Sequence, residues 1–319
     1  MNAAVLHTLG QPPRCEQFAE PVAQDGEVIV QVRAASLKPV DKQLASGSHY
    51  ASNRALPFIC GIDGVGVLDN GKRIYFGGPR LPYGAMAERT VVRSAFTFPI
   101  PDHLSDETAA AVANPGVSAW LSLAHRAKLM PGENVLILGA TGITGALAVQ
   151  IAKALGAARV VAAGRNRERL NELRGLGVDA TIQLDTSEPE LREAIAHEAG
   201  TSGFQVVLDY VWGRPAEAFL AAVTREEFAA IAAETRYVQV GERAGATIAL
   251  PAAVLRSTAL TIMGTAGIPP REIVVDALQK VMAFAVTREL RIATELVPLA
   301  EIEQVWDRET PGKRFVIVP

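Results

Sequence analysis

A strand, a glycine turn and a helix follow one another between Asn134 and Ala157, and this segment restricts the fold more than any other. The run from Val135 to Leu138 is apolar throughout, which is typical of a short parallel strand buried on both faces. Residues from Ala146 onward then follow a helical period. Gly142 and Gly145 lie in the turn between them. A glycine there lets the backbone approach a phosphate, and a helix N-terminus supplies free N–H groups, so the segment predicts a dinucleotide-binding turn.

The turn departs at one position from the usual G-x-G-x-x-G pattern, because Ala140 stands where the first glycine is expected. Similar strand, glycine and helix connections also occur in proteins that bind nothing there. The alternating strands and helices around this turn favour binding. The residues predicted to contact the dinucleotide here are Thr141, Gly142, Ile143, Thr144 and Gly145.

The end of the following strand predicts which dinucleotide binds. A Rossmann domain that prefers NAD places Asp or Glu there, on the ribose 2′-hydroxyl. This chain has Gly164, Arg165 and Asn166 instead, and we predict that all three contact the cofactor. Guanidinium groups grip phosphate, so a 2′-phosphate fits and NADP(H) is favoured. Arg165 adjoins the strand-end glycine and is the stronger candidate, whereas Arg167 is the more easily explained as a solvated charge.

The composition indicates a globular enzyme with full cores, since 49% of the 319 residues are hydrophobic. The net charge of -3 gives no basic surface for nucleic acid or an anionic membrane. No stretch has the length of a membrane helix, and the N-terminus carries no secretion or transit signal. Two cysteines, Cys15 and Cys60, are too few for a disulfide framework. We expect a cytoplasmic protein whose partners are small molecules.

The pattern along the chain predicts an α/β fold class with two domains. The N-terminal part has short β-branched segments punctuated by Gly and Pro, which is typical of an antiparallel β-rich unit. Helices then alternate with apolar strands, which predicts a Rossmann doubly wound parallel sheet. We place the β-rich unit at residues 1–113, the Rossmann domain at 114–263 and a C-terminal return to the first unit at 264–319. The predicted parallel strands are Val135–Leu138, Val160–Ala163, Ala180–Gln183, Val206–Tyr210, Tyr237–Val240 and Ala259–Met263.

Several phrases along nearly the whole chain resemble the medium-chain dehydrogenase/reductase superfamily. The zinc-independent quinone oxidoreductases are the branch that this chain resembles most. The resemblance implies a GroES-like β-rich catalytic domain formed from both chain ends, and hydride transfer from NADPH to a quinone or an activated enone. It also implies a homodimer formed through the last Rossmann strand. The phrases are Leu37–Asp41 with Ser46-Gly47 (N-P-V-D…S-G), Cys60–Gly66 (G-x-D/E-x-x-G), Gly84–Glu88 (G-A-x-A-E) and Ile100–Ala110 (P-D-x-x-S-x-E-x-A-A).

The same resemblance excludes a zinc site. In the zinc alcohol dehydrogenases of this superfamily, a Cys and a His-Glu pair hold the catalytic metal, and the corresponding positions here are Lys38, Ile62 and Asp63. A lysine, an isoleucine and one carboxylate do not make a tetrahedral zinc site. We therefore predict no metal, and we rank a zinc-type alcohol dehydrogenase low.

Reducing a quinone or enone without a metal requires polarisation of the carbonyl and a proton as well as a hydride. The Lys38 ammonium is a candidate for stabilising charge on the carbonyl oxygen, and a structural ion pair with Asp41 or Asp63 is an equal alternative. Tyr50 and His49 stand where related reductases place a cleft tyrosine, so they are candidates for donating or relaying a proton. Alternatively, both only line the cleft. Tyr75, Phe76, Arg80 and Tyr83 are further candidates for the acceptor pocket.

Ligands of doubly wound sheets lie beyond the carboxyl ends of the strands, which adds further cofactor candidates. These are Tyr210 after the fourth strand, Val240 and Gly241 after the fifth, Gly264 and Thr265 after the sixth, and Ser118 in the helix before the first.

The sequence thus predicts an NADPH-dependent reductase of a quinone or an α,β-unsaturated carbonyl compound. A catalytically silent NADP(H)-binding sensor or structural protein of the same fold remains the main alternative. An acyl-thioester enoyl reductase domain is a third possibility, although the chain shows no flanking carrier or synthase modules. The identity of the acceptor stays open.

Overall fold

Each of two units in the chain is built around its own β-structure. The computed structural model describes residues 1–224, 234–265, 267, 269–287, 290–309 and 311–319. Unit 1 comprises Met1–Asn114 and Leu278–Pro319, and unit 2 comprises Pro115–Ala277. The structure thus divides the chain after residues 114 and 277, whereas the sequence predicts divisions after residues 113 and 263.

The first part of unit 1 is mostly antiparallel. Strand β3 is its longest strand and pairs with both β5 and β7, while β1 lies between β2 and β4 in a separate small sheet. The elements are β1 (Asn2–Leu6), β2 (Arg14–Gln17), β3 (Glu27–Ser36), α1 (Pro39–Ser46), β4 (Phe58–Ile59), β5 (Asp63–Val67), β6 (Arg73–Gly77), β7 (Arg89–Arg93), β8 (Thr97–Pro99) and α2 (Asp106–Trp120), the last of which continues into unit 2.

The described residues of unit 2 form six parallel strands in the order β11-β10-β9-β12-β13-β14. This is the strand order of a Rossmann sheet, so the predicted fold class is confirmed. The elements are β9 (Asn134–Leu138), α3 (Ile143–Ala154), β10 (Arg159–Gly164), α4 (Arg167–Leu173), β11 (Ala180–Gln183), α5 (Glu188–Ala199), β12 (Val206–Asp209), α6 (Gly213–Val223), β13 (Glu234–Gln239), α7 (Ala252–Ser257), β14 (Ala259–Gly264) and α8 (Arg271–Val286).

The C-terminal segment completes unit 1, as predicted. It contains β15 (Ala293–Pro298), the short helix α9 (Ile302–Val305) and β16 (Lys313–Val318). Strand β16 runs parallel to β15 and antiparallel to β3, with Ile317 opposite Ala35. Phe315 and Ile317 are buried in the same apolar cluster as Val30 of β3, so burial of β16 joins the two ends of the chain.

The strands of unit 2 form where apolar residues are buried on both faces. All the residues from Val135 to Leu138 are fully buried, and the central residues of β10 and β12 are equally so. Helix α3 covers the sheet with its buried stretch from Gly145 to Ala152. This packing holds the glycine turn at the carboxyl end of β9, where ligands of such sheets bind.

Five of the six predicted parallel strands differ by one to three residues at an end from the strands of the structure, and the contacts explain the differences at β12 and β13. Strand β12 stops at Asp209 rather than Tyr210, because the Asp209 carboxylate accepts the backbone N–H groups of Val211 and Trp212 and turns the chain. Strand β13 starts at Glu234 rather than Tyr237. Its early residues are polar and give no apolar signal, yet they pair along β14.

Candidate functional site

The three glycines of the turn in unit 2 have different structural roles. A methyl group on Gly145 would lie 2.4 Å from the Gly139 carbonyl oxygen, so close packing of helix and strand requires glycine there. Gly139 has φ +86°, and its methyl group would lie 2.9 Å from the Val211 side chain. Gly142 is different, because its methyl group would meet only the Gly139 oxygen, at 3.5 Å. Packing within the chain does not require glycine at position 142, whose open side can receive a ligand.

The N-terminus of α3 offers hydrogen-bond donors beside Gly142. No side chain caps this helix. Its first helical hydrogen bond runs from the Ala146 N–H to the Gly142 carbonyl at 2.9 Å. The N–H groups of Ile143, Thr144 and Gly145 therefore have no helical acceptor and remain available to an anion at the positive end of the helix dipole. This is the arrangement that a pyrophosphate requires.

The structure brings the end of β10 against the same turn. A methyl group on Gly164 would lie 2.4 Å from the Thr141 side chain, so glycine at this strand end lets the two loops touch. Arg165 and Arg167 are both exposed, and neither guanidinium has a partner among the described residues. The Asn166 side chain is partly committed, because its Oδ1 accepts the Arg169 N–H at 3.0 Å and caps α4. The predicted contacts Arg165 and Asn166 thus comprise an exposed guanidinium group and a capping amide, and Arg167, which the sequence indicates is a solvated charge, is exposed beside them.

A buried carboxylate organises the neighbouring strand ends. Asp209 is fully buried, and its carboxylate accepts the Tyr237 hydroxyl at 2.5 Å as well as the two N–H groups that turn the chain after β12. Its carbonyl oxygen accepts the N–H groups of Val240 at 2.8 Å and Gly241 at 3.1 Å. Burial raises the pKa of Asp209. The predicted contacts Tyr210, Val240 and Gly241 are thereby held together, and a methyl group on Gly241 would lie 2.6 Å from the Tyr210 carbonyl oxygen.

Two features at this edge were not foreseen from the sequence. Trp212 has φ +54° and ψ −157°, a region used almost only by glycine, and its ring packs against Tyr237 with centroids 6.1 Å apart. Such strain at a tryptophan has no local signature. The hydroxyl of Tyr210 is buried and has no hydrogen-bond partner among the described residues. Both features lie in the loop after β12, at the carboxyl edge of the sheet.

The remaining predicted cofactor contacts lie elsewhere in unit 2. Ser118 is half-buried on α2. Gly264 and Thr265 are exposed at the end of β14, and the Gly264 carbonyl accepts a hydrogen bond from Arg126 at 2.9 Å. Across the described ranges, no hydrogen bond joins these three residues to the glycine turn, so their roles stay predictions.

In unit 1, Lys38 lies in a buried ionic cluster. Its ammonium is 2% exposed, donates to the Ser36 carbonyl at 2.8 Å and to Asp63 Oδ1 at 3.1 Å, and lies 3.2 Å from Asp41 Oδ2. An ammonium has three N–H donors, and the Ser36 carbonyl, the Ser36 hydroxyl at 3.4 Å and Asp63 Oδ1 account for all of them. Burial raises the pKa of Asp63, against the lowering effect of Lys38. The geometry favours the structural ion pair over polarisation of a substrate carbonyl.

Asp41 links this cluster to the backbone. Its carboxylate accepts the Lys38 N–H at 2.9 Å, which caps α1, and the Ile62 N–H at 3.1 Å. The Leu37–Asp41 phrase and the phrase around Asp63 are thus joined through one carboxylate. This explains in physical terms why both phrases occur together.

His49 and Tyr50 form an aromatic pair on the loop after α1, in which Tyr50 is exposed and His49 is half-buried. Tyr50 is 96% exposed, and the His49 ring stacks on it with centroids 4.2 Å apart. His49 Nδ1 accepts the Ala51 N–H at 3.1 Å. The Tyr50 ring is therefore open to an incoming molecule and His49 is half-buried beside it, while their proton-donor role stays a prediction.

The further candidates for an acceptor pocket have structural partners instead. Phe76 is fully buried in the core of unit 1. Arg80 pairs with Glu27 at 2.8 Å, and the Tyr83 hydroxyl donates to the Glu20 carbonyl. Burial, followed by the neighbouring Asp63 carboxylate, raises the pKa of Tyr75 well above its usual value. These side chains stabilise the β-rich unit.

A Rossmann sheet with a glycine turn at the carboxyl end of its first strand, in one chain with a β-rich unit, is typical of nucleotide-dependent α/β oxidoreductases. A family model described as zinc-binding dehydrogenase matches residues 144–284. The quinone oxidoreductase of Thermus thermophilus, whose crystal structures include a complex with NADPH, is 31% identical over all of both chains with a TM-score of 0.81. The chain belongs to the quinone oxidoreductase branch of the medium-chain dehydrogenase/reductase superfamily.

Two curated relatives extend this finding. Quinone oxidoreductase-like protein 2 of Bos taurus is 30% identical, over 82% of this chain and 74% of its own length. A protein of Emericella nidulans named "Probable NADPH-dependent quinone reductase tdiC" is 28% identical over the full length of both chains.

The metal implied by the family model's description does not fit the residues present. Lys38 and Asp63 form an ion pair, and Ile62 offers no ligand atom from its side chain. In the part of the chain that the structure describes, no three His, Cys, Asp or Glu side chains are grouped so as to hold a metal ion. Tetrahedral zinc needs four nitrogen, sulfur or oxygen ligands, whereas this cluster has two carboxylates, Asp41 and Asp63, and both are paired with Lys38. Separately, none of the described helices is long and apolar enough to cross a membrane.

Proposed function

We propose that this protein is an NADPH-dependent reductase that transfers a hydride to a quinone or an α,β-unsaturated carbonyl compound without a metal ion. The observation that carries the proposal is the edge of the unit 2 sheet, where Gly142 is open and Arg165 and Arg167 have no partner within the described residues. The names of the Emericella and Thermus relatives, which mention NADPH and quinones, support the same activity.

Different residues of this sheet edge bind different parts of the cofactor. The N–H groups of Ile143, Thr144 and Gly145 hold the pyrophosphate, and the open side of Gly142 lets it approach. Arg165, with Arg167 beside it, binds the 2′-phosphate. When bound, NADPH supplies the hydride. The chain itself binds and orients the cofactor at the carboxyl edge of the sheet.

Nucleotide preference tests the role of Arg165. A charge-assisted hydrogen bond contributes about 1.5 to 3 kcal/mol, so Arg165→Ala should weaken NADPH binding by roughly 10- to 100-fold and leave NADH binding unchanged. Arg174→Ala is a matched control, because Arg174 is also exposed and follows α4. Dissociation constants for both nucleotides give the comparison. A wild-type protein that prefers NADH would contradict the assignment.

The acceptor is tested with a panel of simple quinones, alkenals and cyclic enones, by measuring the loss of NADPH absorbance. Oxidation of NADPH by at least one class is expected. Tight NADPH binding without turnover of any compound would contradict the enzyme assignment and favour a silent NADP(H)-binding protein. Activity that disappears on chelation and returns with zinc would contradict the metal-free mechanism.

His49 and Tyr50 contact the acceptor in this proposal, since Tyr50 is 96% exposed and the half-buried His49 ring lies beside it. Tyr50→Phe should lower kcat for the preferred acceptor, because it removes a hydroxyl donor but keeps the ring. Tyr83→Phe serves as the control, since the Tyr83 hydroxyl bonds within unit 1. Equal kcat values in the Tyr50→Phe and Tyr83→Phe variants would contradict the proposal that Tyr50 donates a proton.

A second copy of the chain pairs with strand β14 in this proposal. Strand β14 is at the edge of the sheet, and Leu260, Ile262 and Met263 on it are only half-buried. Glutamate in place of the exposed Thr261 would set like charges against each other across a twofold axis. Light scattering should then show a dimeric wild type, a monomeric Thr261→Glu variant and a dimeric Thr181→Glu control on the opposite edge strand. A monomeric wild type would contradict the pairing.

The compartment in this proposal is the cytoplasm. Cys15 and Cys60 are both free thiols. Unpaired cysteines are typical of a reducing environment.

A further inference from the structure

Gln183 is the last residue of β11 and lies beside the Arg165 loop. It is opposite Gly164 in the parallel ladder between β10 and β11, at the carboxyl edge of the sheet. Its side-chain nitrogen Nε2 donates a hydrogen bond to the carbonyl oxygen of Arg165. One side chain on β11 therefore holds the backbone of the loop that carries the 2′-phosphate ligand.

The other end of the same amide has no partner. Gln183 Oε1 is buried, and nothing in the described part of the chain donates a hydrogen bond to it. The orientation of the amide follows from its neighbour: the Arg165 carbonyl can only accept, so the NH₂ group must face it and Oε1 must face away. A buried acceptor without a donor is uncommon in folded proteins and calls for an explanation.

We propose that Gln183 binds and positions the adenosine half of the cofactor. Its nitrogen holds the Arg165 loop, and its oxygen accepts a hydrogen bond from a ribose hydroxyl. The end of the second Rossmann strand lies against this ribose, and Gly164 at that end is the ladder partner of Gln183. In NADPH the 2′-oxygen carries phosphate, so the 3′-hydroxyl is the ribose donor that remains. The inference rests on the proposed function and adds a residue to the same site.

Gln183→Leu tests both contacts. The 3′-hydroxyl is common to NADPH and NADH, so loss of Oε1 should weaken both by about 3- to 10-fold, the effect of one neutral hydrogen bond. Freeing the Arg165 loop should weaken NADPH further, so that the ratio of the two dissociation constants also falls. Gln183→Glu is a second variant. It keeps an acceptor for the ribose but turns an oxygen toward the Arg165 carbonyl, so it should weaken NADPH binding much more than NADH binding.

Gln205→Leu is the matched control. Gln205 immediately precedes β12 and so lies at the amino ends of the parallel strands, whereas Gln183 lies at their carboxyl ends. Both ends of its amide are paired: Oε1 accepts the Asn134 N–H at 2.8 Å, and Nε2 donates to the Ser202 carbonyl at 2.8 Å. Thermal unfolding without nucleotide should show a larger loss of Tm for Gln205→Leu than for Gln183→Leu. The nucleotide dissociation constants of Gln205→Leu should equal those of the wild type.

The outcomes separate this inference from the proposed function. Weaker binding of both nucleotides by Gln183→Leu, with Gln205→Leu unchanged, supports it. If Arg165→Ala loses the preference for NADPH while a folded Gln183→Leu binds both nucleotides as the wild type does, the role of Gln183 is overturned and the cofactor assignment stands. If the wild type binds neither nucleotide, both are overturned.

Discussion

One added methyl group at Gly142 or at Gly145 separates what the glycine turn does for the ligand from what it does for the fold. At Gly142, the backbone has φ −76° and the new Cβ would meet only the Gly139 oxygen, at the ordinary contact distance of 3.5 Å. At Gly145, the new Cβ would lie 2.4 Å from the Gly139 oxygen and 2.6 Å from the Ala140 Cα. Both are backbone atoms, which cannot rotate away.

Gly142→Ala should mainly weaken NADPH binding, whereas Gly145→Ala should mainly lower the free energy of unfolding. Gly142→Ala should change the free energy of unfolding by no more than about 1 kcal/mol, because alanine restricts the unfolded chain but is less favourable than glycine at the N-cap position of α3. Its methyl group occupies the open side of the turn, and loss of one charge-assisted hydrogen bond to the pyrophosphate should weaken NADPH binding at least about tenfold. Gly145→Ala should cost about 1 to 3 kcal/mol of overpacking, offset in part by better helix propensity. Its Tm should fall by roughly 2 to 8 °C.

Calorimetry without nucleotide gives the stability of each variant, and titration with NADPH gives the dissociation constant. Gly175→Ala is the control, because a methyl group there would meet nothing within 4 Å and the residue lies outside the turn. It should resemble Gly142→Ala in stability and the wild type in affinity. A Gly142→Ala protein that binds NADPH as tightly as the wild type would refute the role assigned to the open side of the turn.

Three further predictions concern charged groups. Lys38→Met should cost about 3 to 5 kcal/mol at neutral pH by leaving a buried carboxylate unpaired, and its Tm should rise on mild acidification, because a group with a raised pKa such as Asp63 adds stability when protonated. A Tm equal to that of the wild type would refute the ion pair. Asp209→Asn should lose about 1 to 3 kcal/mol and weaken NADPH binding, since the turn after β12 loses its charged acceptor; unchanged calorimetry and titration would count against this. Hydrogen bonds from Ser187 lower the pKa of Glu190, so this helix cap adds stability above the ordinary value of 4.5 that is lost as the pH falls through the lowered pKa. Melting curves across acidic pH should be less pH-dependent for Ser187→Ala, and an equal dependence would exclude the cap as a cause.

Much of the Rossmann half could be predicted because its signal is local. The strand Ala180–Gln183 was predicted with the bounds that the structure shows, and a six-stranded parallel sheet was predicted from alternating strands and helices. The start of β13 could not be predicted in the same way. Thr235 and Arg236 are polar, but the Thr235 hydroxyl donates to the Phe204 carbonyl at 2.7 Å, and Arg236 donates to the Ala127 carbonyl at 2.7 Å. Partners distant in sequence satisfy these side chains, so no periodic pattern reveals the strand.

The sequence by itself determined the fold class, the glycine turn and the two arginines after β10, because each depends on residues close together in the chain. The tertiary structure decided the rest. It made Lys38 the partner of Asp63, which is distant in sequence, and it separated the glycine required by packing, Gly145, from the glycine open to a ligand, Gly142. It also set Gln183 beside the Arg165 carbonyl. Such contacts depend on which strands and loops folding places side by side, and this information is spread over the whole chain.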